Sequence, residues 1–113
     1  MKRPESANLS LQHLAEAKAL GAKLARLRKA RHVLQADAAL RAGLSRPTAV
    51  RIEAGDPGRT LGQLARYLHA IAPGTTLMQL MLESDPSLLA LRAAEDTKRV
   101  RRPSEAKLKT LDF

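Results

Sequence analysis

The sequence predicts an all-α fold, and its composition carries the prediction. Of the 113 residues, 20 are Ala and 20 are Leu, whereas Val, Ile and Thr together number 11. Helices favour Ala and Leu, and strands favour β-branched and aromatic residues. Only Tyr67 and Phe113 are aromatic, so we expect a core of small aliphatic side chains on closely spaced helices. This length supports one compact domain with tails.

The first helix is expected from Ser10 to about Arg31, because Leu20, Leu24 and Leu27 recur at helical spacing. Gly21 interrupts this run, so an alternative is a separate short helix containing Leu11 and Leu14. A second helix is expected over residues 35–41 and a third, the recognition helix described below, over residues 45–54. Gly55 and the following Asp-Pro-Gly end the third helix, because Gly suits the left-handed residue after a helix and Pro cannot continue one.

Two capping boxes predict the next helices. Thr60 and Gln63 fit the box that opens a fourth helix at Leu61, and Thr76 and Gln79 fit a second box that opens a fifth. The fourth helix is expected to bury Leu64, Ala65, Leu68 and Ile71. The fifth carries Leu77, Leu80 and Met81. Asp85-Pro86 is a further start signal, for a segment with Leu88, Leu89 and Leu91. After Thr97 the hydrophobic period is lost, and a flexible basic tail is expected.

Several classes of protein are excluded by what the sequence lacks. Without Cys it has no disulfide scaffold, no thiol catalysis and no zinc finger. The three His residues are far apart in sequence, so no metal site is expected. Neither a nucleophile–base pair nor a Gly-rich phosphate loop is visible, so we expect no catalytic residue and no cofactor. No apolar run reaches the ~20 residues of a membrane span, and no apolar region follows Met1–Pro4. A cytoplasmic, nucleoid-associated protein with no membrane partner is expected.

The net charge of +9 is concentrated in three segments. Residues 17–31 carry +6, residues 41–51 carry +3 and residues 97–109 carry +5, which leaves −5 for the rest of the chain. Such concentration is typical of proteins that bind a polyanion, because each neutralised phosphate releases counterions. The alternative is that these are solvated helix faces that only keep the protein soluble.

The stretch from Gln35 to Glu53 has the spacing of a helix-turn-helix. Ala39 lies where the two helices cross, and a larger side chain there would force them apart. Gly43 supplies the positive φ that turns the chain within three residues. Leu44, Ala49 and Ile52 are expected to face the core. The opposite side of the third helix then carries Arg46, Pro47, Val50 and Arg51.

On these residues, the run from Leu20 to Ile71 resembles the Xre/Cro repressor family of five-helix DNA-binding domains. The matching residues are Leu24, Leu27, Arg28, Gln35, Ala39, Gly43, Ser45, Arg46, Thr48, Arg51, Ile52, Glu53 and Gly55. The chain departs from the family at Ala38, Ala42 and Ala49, where larger aliphatic residues are usual, so a looser core is expected there. The resemblance implies a compact repressor-like domain over 17–83, after an N-terminal extension over 1–16. A C-terminal helical segment over 84–97 and the flexible tail over 98–113 follow.

The resemblance also implies roles for single residues on double-stranded DNA, expected to be a palindromic operator. Arg46, Pro47 and Arg51 are assigned to base contacts in the major groove. Phosphate contacts are assigned to Gln35, Ser45, Thr48 and Arg28, with a base contact as the alternative for Thr48. Ala39, Gly43 and Ile52 are assigned structural roles in the motif. For Arg51 the alternative is a salt bridge to Glu53 or another nearby acid. For Lys23, Arg26 and Arg28 the alternative is simple solvation.

A second, narrower resemblance, to one group within this family, implies a protein partner. The segment from Glu53 to Gly58, the helix at 61–71, Asp85-Pro86 and the basic run 98–102 are similar to HipB-like proteins, which accompany HipA-like kinase toxins. The alternatives are a repressor without such a partner and a protein-interaction module in which DNA binding is secondary.

A homodimer through the apolar residues of 77–91 is expected. In the tail, Arg99, Arg101 and Arg102 are expected to add phosphate contacts, and Leu108, Leu111 and Phe113 to dock on a partner or the sister subunit.

Overall fold

The computed structural model describes residues 4–82 and 89–98, and within these ranges every regular element is a helix. A short 3₁₀ turn, Glu5–Asn8, precedes five α-helices. They are α1 (Leu11–Ala30), α2 (Gln35–Ala42), α3 (Arg46–Glu53), α4 (Leu61–Ile71) and α5 (Leu77–Met81). Residues 89–98 are also helical and are called the 89–98 helix. The expected all-α class is therefore confirmed for the described part of the chain.

Helix α1 runs without a break through Gly21, so the alternative of a separate helix around Leu11 is wrong. The expected domain boundary between residues 16 and 17 consequently lies inside α1. Gly21 is buried because the end of α3 packs against it. A Cβ atom there would lie 2.5 Å from the backbone N of Gly55 and 2.6 Å from the carbonyl O of Ile52. The glycine therefore allows the C-terminal end of α3 to lie directly against the α1 backbone.

Gly55 makes the matching approach from the other side. Its φ of +78° is left-handed, as expected for the residue that ends α3, and a Cβ there would lie 2.4 Å from the Cα of Lys18. A side chain is thus excluded twice, by conformation and by space. The two glycines together fix the distance between α1 and the end of α3.

The connection from α2 to α3 is a tight left-handed turn. Gly43 has φ +68° and ψ +32°, and the backbone N–H of Leu44 donates to the carbonyl of Ala39 over 2.9 Å. Ala39 itself is 2% exposed, in the cluster of buried residues to which α2 and α3 both contribute. The expected roles of Ala39 and Gly43 agree with these positions.

Both expected capping boxes are present. The Thr60 hydroxyl accepts from the backbone N–H of Gln63, and the Gln63 side chain accepts from the N–H of Thr60. Thr76 and Gln79 repeat the arrangement at the start of α5. Two of the helix starts are therefore fixed by local hydrogen bonds that the sequence alone specifies.

The core is a single cluster to which all five helices contribute. Its members are Leu24, Leu27, Ala38, Ala39, Ala42, Ala49, Ile52, Tyr67, Leu68, Ile71, Ala72 and Leu80. Ala65 is expected in the core from the sequence but is exposed. The buried stripe of α4 follows Leu64, Leu68 and Ile71, and Ala65 lies about 100° around the helix from Leu64. Tyr67, which lies on the stripe, is buried in place of Ala65.

The 89–98 helix lies beside α1, where Arg26 Nη2 and Glu95 Oε1 are 2.5 Å apart. The expected start of this helix at Asp85-Pro86 and its Leu88 lie outside the described residues, as does the basic tail beyond residue 98. Leu91 is half-buried and Leu89 is 52% exposed. Across residues 4–82 and 89–98, no helix combines the length and apolar character that a membrane crossing requires.

Candidate nucleic-acid interface

Helix α3 presents a basic outer face and a buried inner face. Ala49 and Ile52 are at most 1% exposed and belong to the core. Arg46, Pro47, Val50 and Arg51 are all exposed, with Val50 at 47%. The sequence predicted this division. The outer surface of α3 therefore carries two guanidinium groups, a pyrrolidine ring and an isopropyl group, while its inner surface is packed in the core.

The N-terminus of α3 is capped by side-chain hydrogen bonds. The backbone N–H of Thr48 donates to Ser45 Oγ over 3.2 Å, and the two hydroxyl oxygens are 2.9 Å apart. Pro47 lies in the first turn, where its missing N–H has no intrahelical partner to lose. Because of these hydrogen bonds, both hydroxyl groups help to cap the helix. Ser45 is exposed and Thr48 is half-buried.

Glu53, the last residue of α3, is the centre of a network that joins four helices. Its carboxylate accepts from Arg28 of α1, with Nε 2.6 Å from Oε2 and Nη2 3.0 Å from Oε1. Gln35 of α2 donates its amide N–H over 3.2 Å, and the phenol of Tyr67 of α4 donates to the same carboxylate. The Arg28 and Glu53 side chains are 12% and 9% exposed. The position of α3 is therefore fixed by polar contacts to α1, α2 and α4.

The network also changes the acid–base properties of its members. The hydrogen bond to Glu53 raises the pKa of Arg28, although burial acts in the opposite direction. Burial raises the pKa of the Tyr67 phenol well above its usual value, and the hydrogen bond to Glu53 adds to the increase. Arg28 is thus held as a cation and Tyr67 as a neutral hydrogen-bond donor.

Arg28 requires a correction. It was assigned a phosphate contact, with solvation as the alternative, but its guanidinium is bound to Glu53 and to the carbonyl of Val33, 2.9 Å away. The physical reason is burial, because a cation this enclosed needs a fixed anion. Gln35 is half-buried and its side chain also donates to Glu53. The contact expected of Gln35 is then left to its second amide N–H and to the backbone N–H groups at the start of α2.

The contacts of the neighbouring charged residues bear on the salt bridge considered for Arg51 and on the solvation considered for Lys23 and Arg26. Glu53 is paired with Arg28, and no ion pair found among the described residues includes Arg46 or Arg51. Lys23 and Arg26 are not simply solvated. Lys23 Nζ donates to the carbonyl of Met81 over 2.7 Å, and Arg26 binds Glu95. At least three of the six cations in residues 17–31 therefore make contacts within the protein, and of these the Arg28 contact is the most buried.

Sequence reasoning did not predict the contact between Tyr67 and Glu53. Arg28 and Glu53 both belong to the residues that match the repressor family, yet nothing in their separation of 25 positions indicates that they pair. The one available signal for Tyr67 was its place three residues after Leu64 on the buried stripe of α4. A buried tyrosine usually needs a partner for its hydroxyl group, which makes it a candidate for such a network.

Residues 4–82 and 89–98 contain no group of three or more His, Asp or Glu side chains placed to hold a metal ion. Comparison of the chain with protein-family models, with curated proteins and with solved structures finds no match.

Proposed function

We propose that this protein is a sequence-specific DNA-binding regulator of transcription that inserts α3 into the major groove. The observation that carries the proposal is the outer face of α3. Arg46 and Arg51 are exposed there, on a helix that follows α2 through a short turn and is fixed from behind by Glu53. A helix fits the width of the major groove, and arginine donors match the paired acceptors of guanine.

The remaining residues of this face have complementary functions. Pro47 presents an apolar ring that suits a thymine methyl group. The hydroxyl groups of Ser45 and Thr48, at the helix start, suit a phosphate, as do the first backbone N–H groups of α2 and the N–H of Arg46. In this proposal the phosphate contacts set the orientation of α3, and Arg46 and Arg51 select the sequence.

The proposed protein acts as a homodimer on a palindromic operator. Single units of this type bind weakly, and two units separated by about one helical turn of DNA combine their contacts. Exposed apolar side chains in and after α5 provide a surface for the second subunit. They are Met78, Met81, Leu82 and Leu89, exposed by 51–73%.

The same apolar surface favours a second candidate function, a protein-interaction module. In that case the partner is another protein, and the resemblance to HipB-like proteins suggests a HipA-like kinase toxin. Co-expression with a kinase-like protein encoded next to this gene tests it. A complex that persists when Arg46 and Arg51 are both replaced by Ala would show that partner binding is independent of the α3 face.

Selection from a pool of randomised DNA duplexes tests the main proposal. We expect enrichment of a palindromic sequence, followed by tighter equilibrium binding of that duplex than of a scrambled one at the same salt concentration. R46A and R51A should each weaken binding to the selected duplex by about 1–3 kcal/mol, with smaller losses on the scrambled one.

Lys98→Ala is the matched control, because it removes one positive charge from an exposed residue of the 89–98 helix rather than from α3. It should change binding to both duplexes equally and weakly. The proposal is wrong if no sequence is enriched. Equal losses on both duplexes for R46A and R51A would limit these residues to phosphate contacts.

A further inference from the structure

A groove lies between the first turns of α1 and the segment that follows α3. Leu11 and Leu14 line it from α1, Ala54 and Pro57 line it from the segment after α3, and Ser6 of the 3₁₀ turn also lines it. Its volume is about 480 Å³. Sites for small organic ligands commonly measure roughly 300–1,000 Å³ and are mostly apolar. The groove therefore has the size and the lining of a ligand site.

The fold alone does not account for the apolar wall on α1. Leu11 is 86% exposed and Leu14 is only half-buried, and neither belongs to the core cluster. The core begins further along α1, at Leu20 and Leu24. Covering these side chains with an apolar ligand would remove them from water, which is favourable in proportion to the area covered.

The polar lining of the groove is predominantly positive. Lys18 and Arg51 both line it and are exposed. The acid that lines it, Asp56, already has partners, since its carboxylate lies 3.4 Å from Arg59 Nε and accepts from the N–H of Gly58 over 2.9 Å. Two cations beside an apolar surface are complementary to a ligand with one anionic end and an apolar body.

From these observations we infer that the groove binds an anionic amphiphile of the medium-chain carboxylate class. The hydrocarbon chain lies against Leu11, Leu14 and Pro57, and the carboxylate is bound by Lys18 and Arg51. A DNA phosphate would satisfy the cations but would leave the apolar walls exposed. An apolar ligand without charge would leave the cations unused.

Arg51 gives the site a regulatory consequence, and this part rests on the proposed function. Arg51 lies on the α3 face that is proposed to read bases. A carboxylate bound at the groove would withdraw its guanidinium from that face and would add a negative charge beside DNA phosphates. The ligand should therefore release the protein from its operator, which is the behaviour of an inducer.

Nuclear magnetic resonance on the ¹⁵N-labelled full chain, without DNA, tests the site itself. Titration with decanoate should give saturable shifts of the backbone signals of residues 11–18 and 51–57, with a dissociation constant below about 1 mM. Decylamine, which has the same chain but the opposite charge, should give no saturation in this range. Decanol should bind at least several-fold more weakly than decanoate.

Two variants test whether the apolar and the charged parts of the groove both contribute to binding. Leu11→Ser removes an apolar wall from an exposed position, and Lys18→Gln removes one cation, so each should weaken decanoate binding by about tenfold. Retained signal dispersion shows that each variant is folded. The inference is overturned if decanoate produces no saturable shifts, if decylamine binds equally well, or if both folded variants bind like the original protein.

Addition of decanoate to the protein–operator complex tests the regulatory part separately. Decanoate should raise the apparent dissociation constant for the operator in the original protein, and the effect should be reduced in Leu11→Ser. If the chain binds no DNA, the proposed function fails while the titration without DNA still decides the ligand site. Binding of decanoate with no effect on DNA would confine the groove to a ligand site without regulation.

Discussion

Tyr67 shows how one buried residue makes stability depend on pH. Its pKa in the folded state is raised above the ordinary value of 10.0 by burial and by the hydrogen bond to Glu53. The folded state therefore keeps a proton that the unfolded state loses above about pH 10. The contribution of Tyr67 to the free energy of unfolding is complete below that pH and is lost as the pH rises further.

We expect the free energy of unfolding to decrease above about pH 10, with a contribution from Tyr67 of at most about 1.4 kcal/mol per pH unit. Urea denaturation followed by circular dichroism at about pH 8 and about pH 11 measures it. Tyr67→Phe should show a smaller decrease between the two pH values, because the two proteins differ only in the phenol. An equal decrease in the variant would contradict this account.

Glu53→Gln should be among the most destabilising single substitutions in the described part of the chain. It removes the charge that is paired with Arg28 and leaves a guanidinium that is 12% exposed without its anion. Breaking one side of a buried pair costs about 3–5 kcal/mol, and urea denaturation at neutral pH measures the change. Glu16→Gln, at an exposed position of α1, is the control and should change stability by less than about 0.5 kcal/mol.

At the scale of the helix, Gly21 and Gly62 make a matched comparison. Gly21 lies in the interior of α1 and Gly62 in the first turn of α4, and Ala is intrinsically better than Gly by roughly 1 kcal/mol in a helix interior. In Gly21→Ala the new Cβ would meet three backbone atoms of the α3 end within 2.8 Å, and in Gly62→Ala the nearest atom is Thr60 Oγ1 at 3.9 Å. Gly21→Ala should therefore destabilise by about 1–3 kcal/mol, and Gly62→Ala should be neutral or stabilise by up to about 1 kcal/mol.

Thermal denaturation of the two variants measures the difference. A stabilising Gly21→Ala substitution would show that α1 and the end of α3 are further apart than the structure places them.

Helix ends were predictable from sequence because their causes are local. The capping boxes at Thr60 and Thr76 and the left-handed Gly43 each depend on residues within a few positions. The burial of Gly21 was not predictable, because its reason is the backbone of Gly55, 34 positions away. The outer face of α3 followed from periodicity. The pairing of Arg28 with Glu53 did not, so one expected phosphate contact proved to be a structural ion pair.

At the scale of the whole molecule, the apolar residues in and after α5 predict self-association. Met78 is 63% exposed and Leu82 is 73% exposed, and burial of such side chains against a second copy is favourable. Analytical ultracentrifugation should show a concentration-dependent dimer. Met78→Glu and Leu82→Glu should each shift it towards monomer, whereas Leu40→Glu, at an exposed leucine of α2, should not. A monomer both free and on DNA would refute the dimer.

The burial of Tyr67 has an optical consequence. The chain contains one tyrosine and no tryptophan, so its near-ultraviolet signal comes mainly from a single ring, fully buried where α1, α3 and α4 meet. Circular dichroism in the far ultraviolet instead averages over every helix. Denaturation curves from the two signals should coincide if the molecule unfolds as one cooperative unit. A tyrosine transition that precedes the helical one would show that the junction opens first, and with it the support of α3.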